Sequence, residues 1–247
     1  MPKYVLFDTE TTGNQEEDRV IQFGAMIVDQ TGKVEAYDEF CQSDIPIKIE
    51  AMEVHNITPD MIENKPKATE TIFYKKLLEL NNEDNFLIAH NIKFDLGMIE
   101  KEGFENHFQI IDTLRCAKHL FPQMPYHRLQ YLRYALELYK VEQIEAKKHN
   151  ITIKAHDAIG DVLVMKLFLS KLVKECRKQY PDYNPMEKLV ELSKTPVFIT
   201  TFKFGKYKGK EVIEVAKEDS GYLNWMKSNL DLDEDLKYTL EKVLSKI

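Results

Sequence analysis

Tyr4-Val5-Leu6-Phe7-Asp8-Thr9-Glu10-Thr11-Thr12-Gly13 opens the chain with an apolar run that ends in acid. The run has the length and composition of a buried strand, and side chains two apart on a strand share a face. Asp8 and Glu10 therefore point the same way, and Thr11-Thr12-Gly13 supplies a turn with exposed backbone N–H groups. Two hard oxygen donors side by side suit Mg²⁺ or Mn²⁺. The spacing alone is weak: 41 acids in 247 residues give roughly seven acid-x-acid pairs by chance, so the neighbours decide.

Two further signatures place acids at element ends. His90-Asn91-Ile92-Lys93-Phe94-Asp95 follows a short apolar run, and His156-Asp157-Ala158-Ile159-Gly160-Asp161 precedes a long helical period. Asp8, Glu10, Asp95 and Asp161 with one histidine make the composition of a two-metal phosphodiester hydrolase. His156, five residues before Asp161 and just ahead of the helix, can face a water while Asp161 faces the metal. His90 reads as a core histidine holding a strand end. His107, His119, His127 and His149 read as surface or structural.

Strands are expected over 3–8, 20–29 and 34–42, the last two joined by a turn at Gln30-Thr31-Gly32-Lys33. A mostly irregular stretch follows, then a helix over 68–80, a strand over 86–90, a helix over 95–102 and a strand over 108–111. Helices are expected over 112–120, 128–138 and 157–178, the last with Asp157 as N-cap. Antiparallel strands followed by strands alternating with helices describe a mixed α/β sheet. Pro181, Pro185 and Pro196 mark a composition shift, which sets a first domain at 1–178, a linker with a short helix at 179–195 and a small α+β module at 196–247. In that module a β element is expected over 198–204 and helices over 221–228 and 233–245; Tyr222 and Trp225, three apart, read as its core.

Cys41, Cys116 and Cys176 lack C-x-x-C spacing, which argues against a disulfide framework or a zinc cluster. No apolar run is long enough to span a membrane, and Met1-Pro2-Lys3 leads straight into a strand, so no membrane partner and a cytoplasmic compartment are expected. The net charge of −7 speaks against tight, extended duplex binding. Two divalent cations would bring it to about −3, a bias that leaves room for local binding at a strand end.

The chain resembles the DEDDh exonucleases, the DnaQ-like group of 3′-to-5′ exonucleases on a ribonuclease H-like fold. The likeness rests on Phe7-Asp8-Thr9-Glu10-Thr11-Thr12-Gly13, on His90-Asn91 with Phe94-Asp95, and on His156 followed by Asp161. It implies a mixed five-stranded sheet flanked by helices, two Mg²⁺ (or Mn²⁺) held by Asp8, Glu10, Asp95 and Asp161, and His156 as general base. Ala51-Met52-Glu53-Val54-His55-Asn56-Ile57-Thr58 is similar to the family's Val-His-Gly-Ile-Thr stretch, with Asn56 in the glycine place; Asn tolerates the left-handed backbone that such a turn needs. By this likeness Thr11, Val54, His55, Asn91 and Phe94 contact the terminal nucleotides of the substrate.

The C-terminal stretch from Phe202 to Lys210, with Asp219-Ser220-Gly221-Tyr222-Leu223-Asn224-Trp225, is similar to a module appended to one exodeoxyribonuclease branch of the family. Its own residues form a lysine-rich turn interleaved with aromatics, in which Lys203, Lys206, Lys208 and Lys210 suit phosphate contact. The expected substrate is a DNA 3′ end, single-stranded or frayed from a duplex, in repair or end processing. An exoribonuclease with the same five residues, and a polymerase-associated proofreading or binding module, are the rival readings. The sequence leaves a homodimer open.

Overall fold

The computed structural model describes residues 1–152 and 157–246. His156, the expected general base, lies outside the described residues. Two compact units divide the chain, Met1–Ser193 and Lys194–Ile247.

The first unit is built on five strands, β1 (Tyr4–Thr11), β2 (Val20–Val28), β3 (Val34–Phe40), β4 (Phe86–Ala89) and β5 (Gln109–Asp112), in the order β3-β2-β1-β4-β5. β1, β2 and β3 pair antiparallel, while β4 and β5 run parallel to β1. The β2–β3 hairpin is closed by Asp29, whose Oδ1 accepts from the backbone N–H of Thr31 (2.9 Å) and of Lys33 (3.1 Å).

Alternation along β1 assigns the two faces of the sheet. Val5 and Phe7 join Phe23, Phe73, Leu77 and Ile99 in one core. Leu6 joins Met26, Ile88, Ile111, Val162, Leu163 and Phe168 in the other. The first face is covered by α3 (Ile72–Leu80) and α4 (Ile92–Glu100), which follow two short helices, α1 (Ile49–His55) and α2 (Pro59–Ile62). The second is covered by α5 (Thr113–Leu120), α6 (Leu129–Ala135), α7 (Tyr139–Lys148), α8 (Ala158–Gln179) and α9 (Pro185–Lys194). Asp8 and Glu10 continue the Leu6 parity and so face α8.

Several expectations need correction. The irregular stretch after β3 contains α1 and α2, and α7 was not foreseen. α1 and α7 turn apolar residues outward: Ile49 and Val54, and Val141 and Ile144, are all about half exposed or more. Neither therefore shows a core-facing stripe in sequence. Residues 179–195, read as a linker with a short helix, do carry a helix, α9, but it is packed rather than loose: its Leu189 is fully buried and its Ser193 Oγ accepts from the Asp112 N–H at the end of β5 (2.8 Å). Asp157 sits at the N-cap position of α8 without a side-chain cap bond. The three cysteines are free and buried.

The second unit packs α10 (Val212–Glu218), α11 (Ser220–Asn229) and α12 (Glu234–Leu244) around Phe202, Val215, Leu223, Met226, Leu236 and Leu240. The expected β element at 198–204 reduces to one bridge between Thr201 and Glu211. No helix among the described residues is long and apolar enough to cross a membrane.

Candidate active site

The acids gather where β1 outruns its neighbour. β4 pairs with β1 only from Tyr4 to Leu6, so beyond Leu6 that edge of β1 has backbone groups with no strand beside them. A buried N–H there must find another acceptor. Asp95, in the first turn of α4, supplies it: its Oδ1 accepts from Thr9 N–H (3.0 Å) and from Thr9 Oγ1 (2.8 Å). Asn91 ahead of α4 is left-handed (φ 74°), and its N–H donates to Asp112 Oδ1 (3.1 Å). Asp112 also receives the N–H of Leu114 (2.9 Å). It is thus a helix-capping acid.

Asp161 arrives from the opposite face. Asp8 pairs with Gly24 in the β1–β2 register, and Glu10 with Gln22. A Cβ on Gly24 would stand 2.2 Å from the Ala158 carbonyl carbon and 2.4 Å from Ile159 N. Only glycine lets the start of α8 rest on the sheet at that point, and Asp161 lies one turn further on. Gln22 Nε2 reaches Asp38 Oδ1 (2.7 Å) and Asp157 Oδ1 (3.1 Å), which ties the strand pair to the head of α8.

Burial raises the Asp8 carboxyl well above its ordinary value, and Asp95, Glu10 and Asp161 push it further. Burial also lifts Glu10 to about 8, with help from Asp161, Asp95 and Asp157. Asp95 is lifted by burial to about 7 despite its two bonds from Thr9. Four carboxylates thus crowd one another in a partly dry site, a set of hard donors that a divalent cation relieves. Among the described residues no three His, Cys, Asp or Glu side chains close on one ion as they stand. Thr9 holds Asp95 and Gln130 holds Asp161, each through Oδ1.

Charge crowding has a thermodynamic signature. With folded values above the ordinary 3.8 and 4.5, the folded metal-free chain holds more protons than the unfolded chain across the window from about pH 4 to pH 8. Stability therefore falls as pH rises through that window. A bound cation displaces those protons and removes the slope. The melting temperature without metal is expected to drop between roughly pH 5 and pH 8, and saturating MgCl₂ should restore it at the upper end. Calorimetric scans with EDTA and with MgCl₂ check this.

One set of supporting residues has no motif in the sequence. Gln130 Nε2 donates to Asp161 Oδ1 (2.5 Å), and Gln130 Oε1 accepts from Arg133 Nη1 (3.2 Å). Arg133 in turn grips Glu142 on α7 through Nε (2.6 Å) and Nη2. Glu142 is 4% exposed. The only signal was polar residues at 130 and 133 flanking the Leu129–Leu132 stripe. Glu142→Ala should cost about 2–3 kcal/mol in urea unfolding. That is below the figure for a fully buried pair because the Arg133 side chain keeps 16% of its surface in water. Hydrolysis should fall as Asp161 loses its orientation.

A cleft of about 320 Å³ lies beside the acids and is lined by Glu10, Thr11, Lys48, Val54, His55 and Phe94 among others. Val54 and Phe94 present apolar surface to it, 55% and 38% exposed. Asn91 does not line it. Asn56 is left-handed (φ 60°) and its N–H closes α1 on Met52 O (2.8 Å), so the Gly-to-Asn exchange preserves the turn. His55 is buried; its Nδ1 accepts from Ile57 N–H (2.9 Å), which leaves Nε2–H to donate to Thr11 O (3.2 Å). Burial holds its pKa below 6.5. His90 is likewise structural: Nε2 lies 2.8 Å from His127 O and Nδ1 2.9 Å from Thr113 Oγ1, and burial lowers its pKa to about 4. Thr12 N–H is taken by Arg19 O (2.9 Å), so the turn after Glu10 does not leave it open.

The sequence model of the family described as Exonuclease matches residues 5–168. The chain belongs to the exonuclease family. It is a 3′-to-5′ exonuclease of the DEDDh, DnaQ-like group, whose members use divalent metals. A second model, described as Exodeoxyribonuclease X-like C-terminal, matches residues 202–231. Exodeoxyribonuclease 10 of Escherichia coli strain K12 is 28% identical over 240 residues, 97% of this exonuclease and 97% of that protein. A PolC-type DNA polymerase III of Bacillus cereus is 35% identical over 170 residues, 66% of this chain but 11% of the polymerase. Among solved structures, exonuclease X in complex with 5′ overhanging duplex DNA aligns with a TM-score of 0.54 at 19% identity, over 77% of this chain and 99% of that one. Escherichia coli exonuclease I in complex with a dT13 oligonucleotide aligns at 0.53 and 21%, over 74% and 43%. At such identities the likeness is one of fold, the ribonuclease H-like mixed sheet.

Proposed function

We propose that this exonuclease removes 5′-mononucleotides from DNA 3′ ends, with Asp8, Glu10, Asp95 and Asp161 holding two Mg²⁺ and His156 accepting the proton of the attacking water. The observation that carries the reading is the gathering of Asp8, Glu10, Asp95 and Asp161 at one buried place, where burial raises the carboxyls of Asp8, Glu10 and Asp95 and where Asp95 and Asp161 push Asp8 and Glu10 further. Such crowding without a compensating cation lowers stability. Oxygen donors alone suit Mg²⁺, with Mn²⁺ as a substitute. When bound, the ions would polarise the scissile phosphate and acidify a water.

The chain's own residues divide the remaining work. Thr9 fixes Asp95 and Gln130 fixes Asp161. The apolar surface of Val54 and Phe94, beside Thr11 and Glu10, suits the base and sugar of a terminal nucleotide. His55 walls that cleft; both of its nitrogens are committed to backbone groups, so it is unfit to take a proton. His90 is excluded too, because its nitrogens are taken by His127 O and Thr113 Oγ1. His156, five residues before Asp161 in the sequence, is the imidazole assigned to hold the water's proton on a ring nitrogen.

The DNA reading is supported by the exodeoxyribonuclease relative, which matches along almost the whole of both chains. A second reading, association with a polymerase as a proofreading unit, is supported by the likeness to part of a PolC-type polymerase. His156→Ala is expected to slow hydrolysis by about 10²- to 10⁴-fold with little change in metal affinity. Activity of the parent should climb with pH through an imidazole titration, near ~6.5 when unperturbed. A flat profile together with a mild mutant would remove His156 from the reaction. A digestion panel of end-labelled single- and double-stranded DNA and RNA, with MgCl₂ or EDTA, tests the substrate class.

A further inference from the structure

Trp225 is the chain's only tryptophan, and the C-terminal unit leaves it outside its core. Half of it, 50%, is exposed, whereas Leu223 and Met226 on the same helix are fully buried. The core is formed by Phe202, Val215, Leu223, Met226, Leu236 and Leu240; Tyr222 packs against it as expected, whereas Trp225 does not. The Trp225 ring lies nearly parallel to Tyr222 (centroids 5.9 Å, 22°), and Tyr222 meets Tyr207 edge-on (5.2 Å, 75°). One face of the indole is thus backed by a ring, and half of the residue remains open to solvent.

The backing is fixed from several sides. Asp219 Oδ1 caps α11 by accepting Tyr222 N–H (3.0 Å), while its Oδ2 accepts from Tyr207 Oη (2.7 Å) and Lys206 Nζ (3.0 Å). Lys206 Nζ also stands 4.7 Å from the Tyr207 centroid and 5.7 Å from that of Tyr222. Gly205, at φ +74°, presses its backbone on Tyr222, where a Cβ would come within 2.9 Å of Oη. The lysine turn is closed by Phe202 N–H to Lys210 O (3.0 Å) and Gly209 N–H to Phe202 O (2.8 Å). Turn and aromatic stack therefore form one preorganised piece.

The surface selects its occupant by shape and charge. A flat indole held by a second ring offers a third flat ring a place to stack, and base–aromatic stacking is tolerant of sequence. Lys206 and Lys210 are paired with Asp219 and Glu218. Lys203 and Lys208, both exposed, have no carboxylate partner among the described residues. Uncompensated cations in a turn latched to an aromatic stack match a chain of bases and phosphates. Bases inside a duplex hide their faces, so the match is to a single strand.

We propose that Trp225, backed by Tyr222 and Tyr207, is a stacking platform for an unpaired base of single-stranded DNA whose phosphates lie along the 203–210 turn. The proposal rests on the DNA reading given under Proposed function, and its test keeps the two apart. Because the chain has one tryptophan, its emission reports this site alone. The full-length protein in EDTA is titrated with an oligothymidylate of about 16 nucleotides, the upper range of a single small binding module. Tryptophan emission and the anisotropy of a labelled strand are followed together.

Emission should be quenched with the same midpoint as the anisotropy change. Trp225→Ala should weaken binding about 5- to 150-fold, the worth of one stacked base, and Trp225→Phe should recover most of it. An unchanged far-ultraviolet spectrum and melting temperature would show that Trp225→Ala folds. A matching blunt duplex should quench little. Equal quenching by oligouridylate would keep the platform and take sugar discrimination away from it. Binding without quenching, binding unaffected by Trp225→Ala, or no binding of the strand at all would each overturn the platform. Cleavage of a dinucleotide with MgCl₂ should be unaltered by Trp225→Ala. Quenching by a strand that MgCl₂ never shortens would sink the reading of DNA as the substrate and leave the platform standing.

Discussion

Asp8→Asn is expected to reduce hydrolysis by at least about 10²- to 10³-fold, the cost of removing one preorganised group that stabilises charge in the transition state. The same change should raise the melting temperature of the metal-free protein. Asp8 lies on the buried face of β1, and its carboxyl is raised by burial and by Asp95, Glu10 and Asp161. The amide keeps the shape of the side chain and removes its charge, which relieves each of those neighbours. In the parent, stability falls as pH rises because the folded form holds the extra protons. The variant should lose part of that slope and gain less from MgCl₂. Opposite signs in activity and stability separate a functional acid from a structural one, since a structural acid would lose both. Near-normal turnover of Asp8→Asn in MgCl₂ would rule out the metal-site assignment.

Gly24→Ala is the second large effect. The added Cβ would lie 2.2 Å from the Ala158 carbonyl carbon and 2.6 Å from its oxygen. Both are backbone atoms at the head of a 22-residue helix, so no flexible side chain can swing aside. Overpacking against such neighbours should cost about 3 kcal/mol, the upper end for inserted methyl groups. Displacement of α8 from β2 would carry Asp161 away from Asp8, which pairs with Gly24 across the strands. Activity should fall further than the lost stability explains, even at temperatures where the variant is fully folded. Urea unfolding and turnover measured on the same preparation check both parts. A stable, active Gly24→Ala would mean that the helix does not rest on the sheet there.

The parts of this protein legible in its sequence are those in which one physical demand dominates. The apolar run into Asp8 and Glu10 announces a buried strand with acids at its exit, and β1 is that strand. The leucine stripe at 129, 132 and 136 announces a core helix; Leu129 and Leu132 are buried in α6, and Leu136, at its C-cap, is partly buried against the same core. α1 was invisible because it turns Ile49 and Val54 toward solvent, and one of those residues lines the cleft. α7 was invisible for a related reason: its Tyr139, Val141 and Ile144 are exposed, and what it buries includes a charged residue, Glu142. A helix whose buried side includes an ion-pair partner has no hydrophobic period to read. The Gln130–Arg133–Glu142 relay escaped for the same reason, because three polar residues on two helices carry no motif until the chain is folded. Trp225 reads as core from its spacing of three from Tyr222, yet a core of smaller residues forms without it. Spacing shows which residues share a helix face, whereas exposure depends on what that face meets.

The most direct test of the central claim, that the crowded acids form a divalent-metal site for removal of nucleotides from 3′ ends, is a time course of a 5′-end-labelled single-stranded DNA incubated with the full-length protein in MgCl₂, in EDTA, and with Asp8→Asn in MgCl₂. The account predicts a ladder shortened stepwise from the 3′ end and release of 5′-mononucleotides in the first reaction alone. Equal shortening in EDTA or by Asp8→Asn, or immediate loss of the label from the 5′ end, would contradict it.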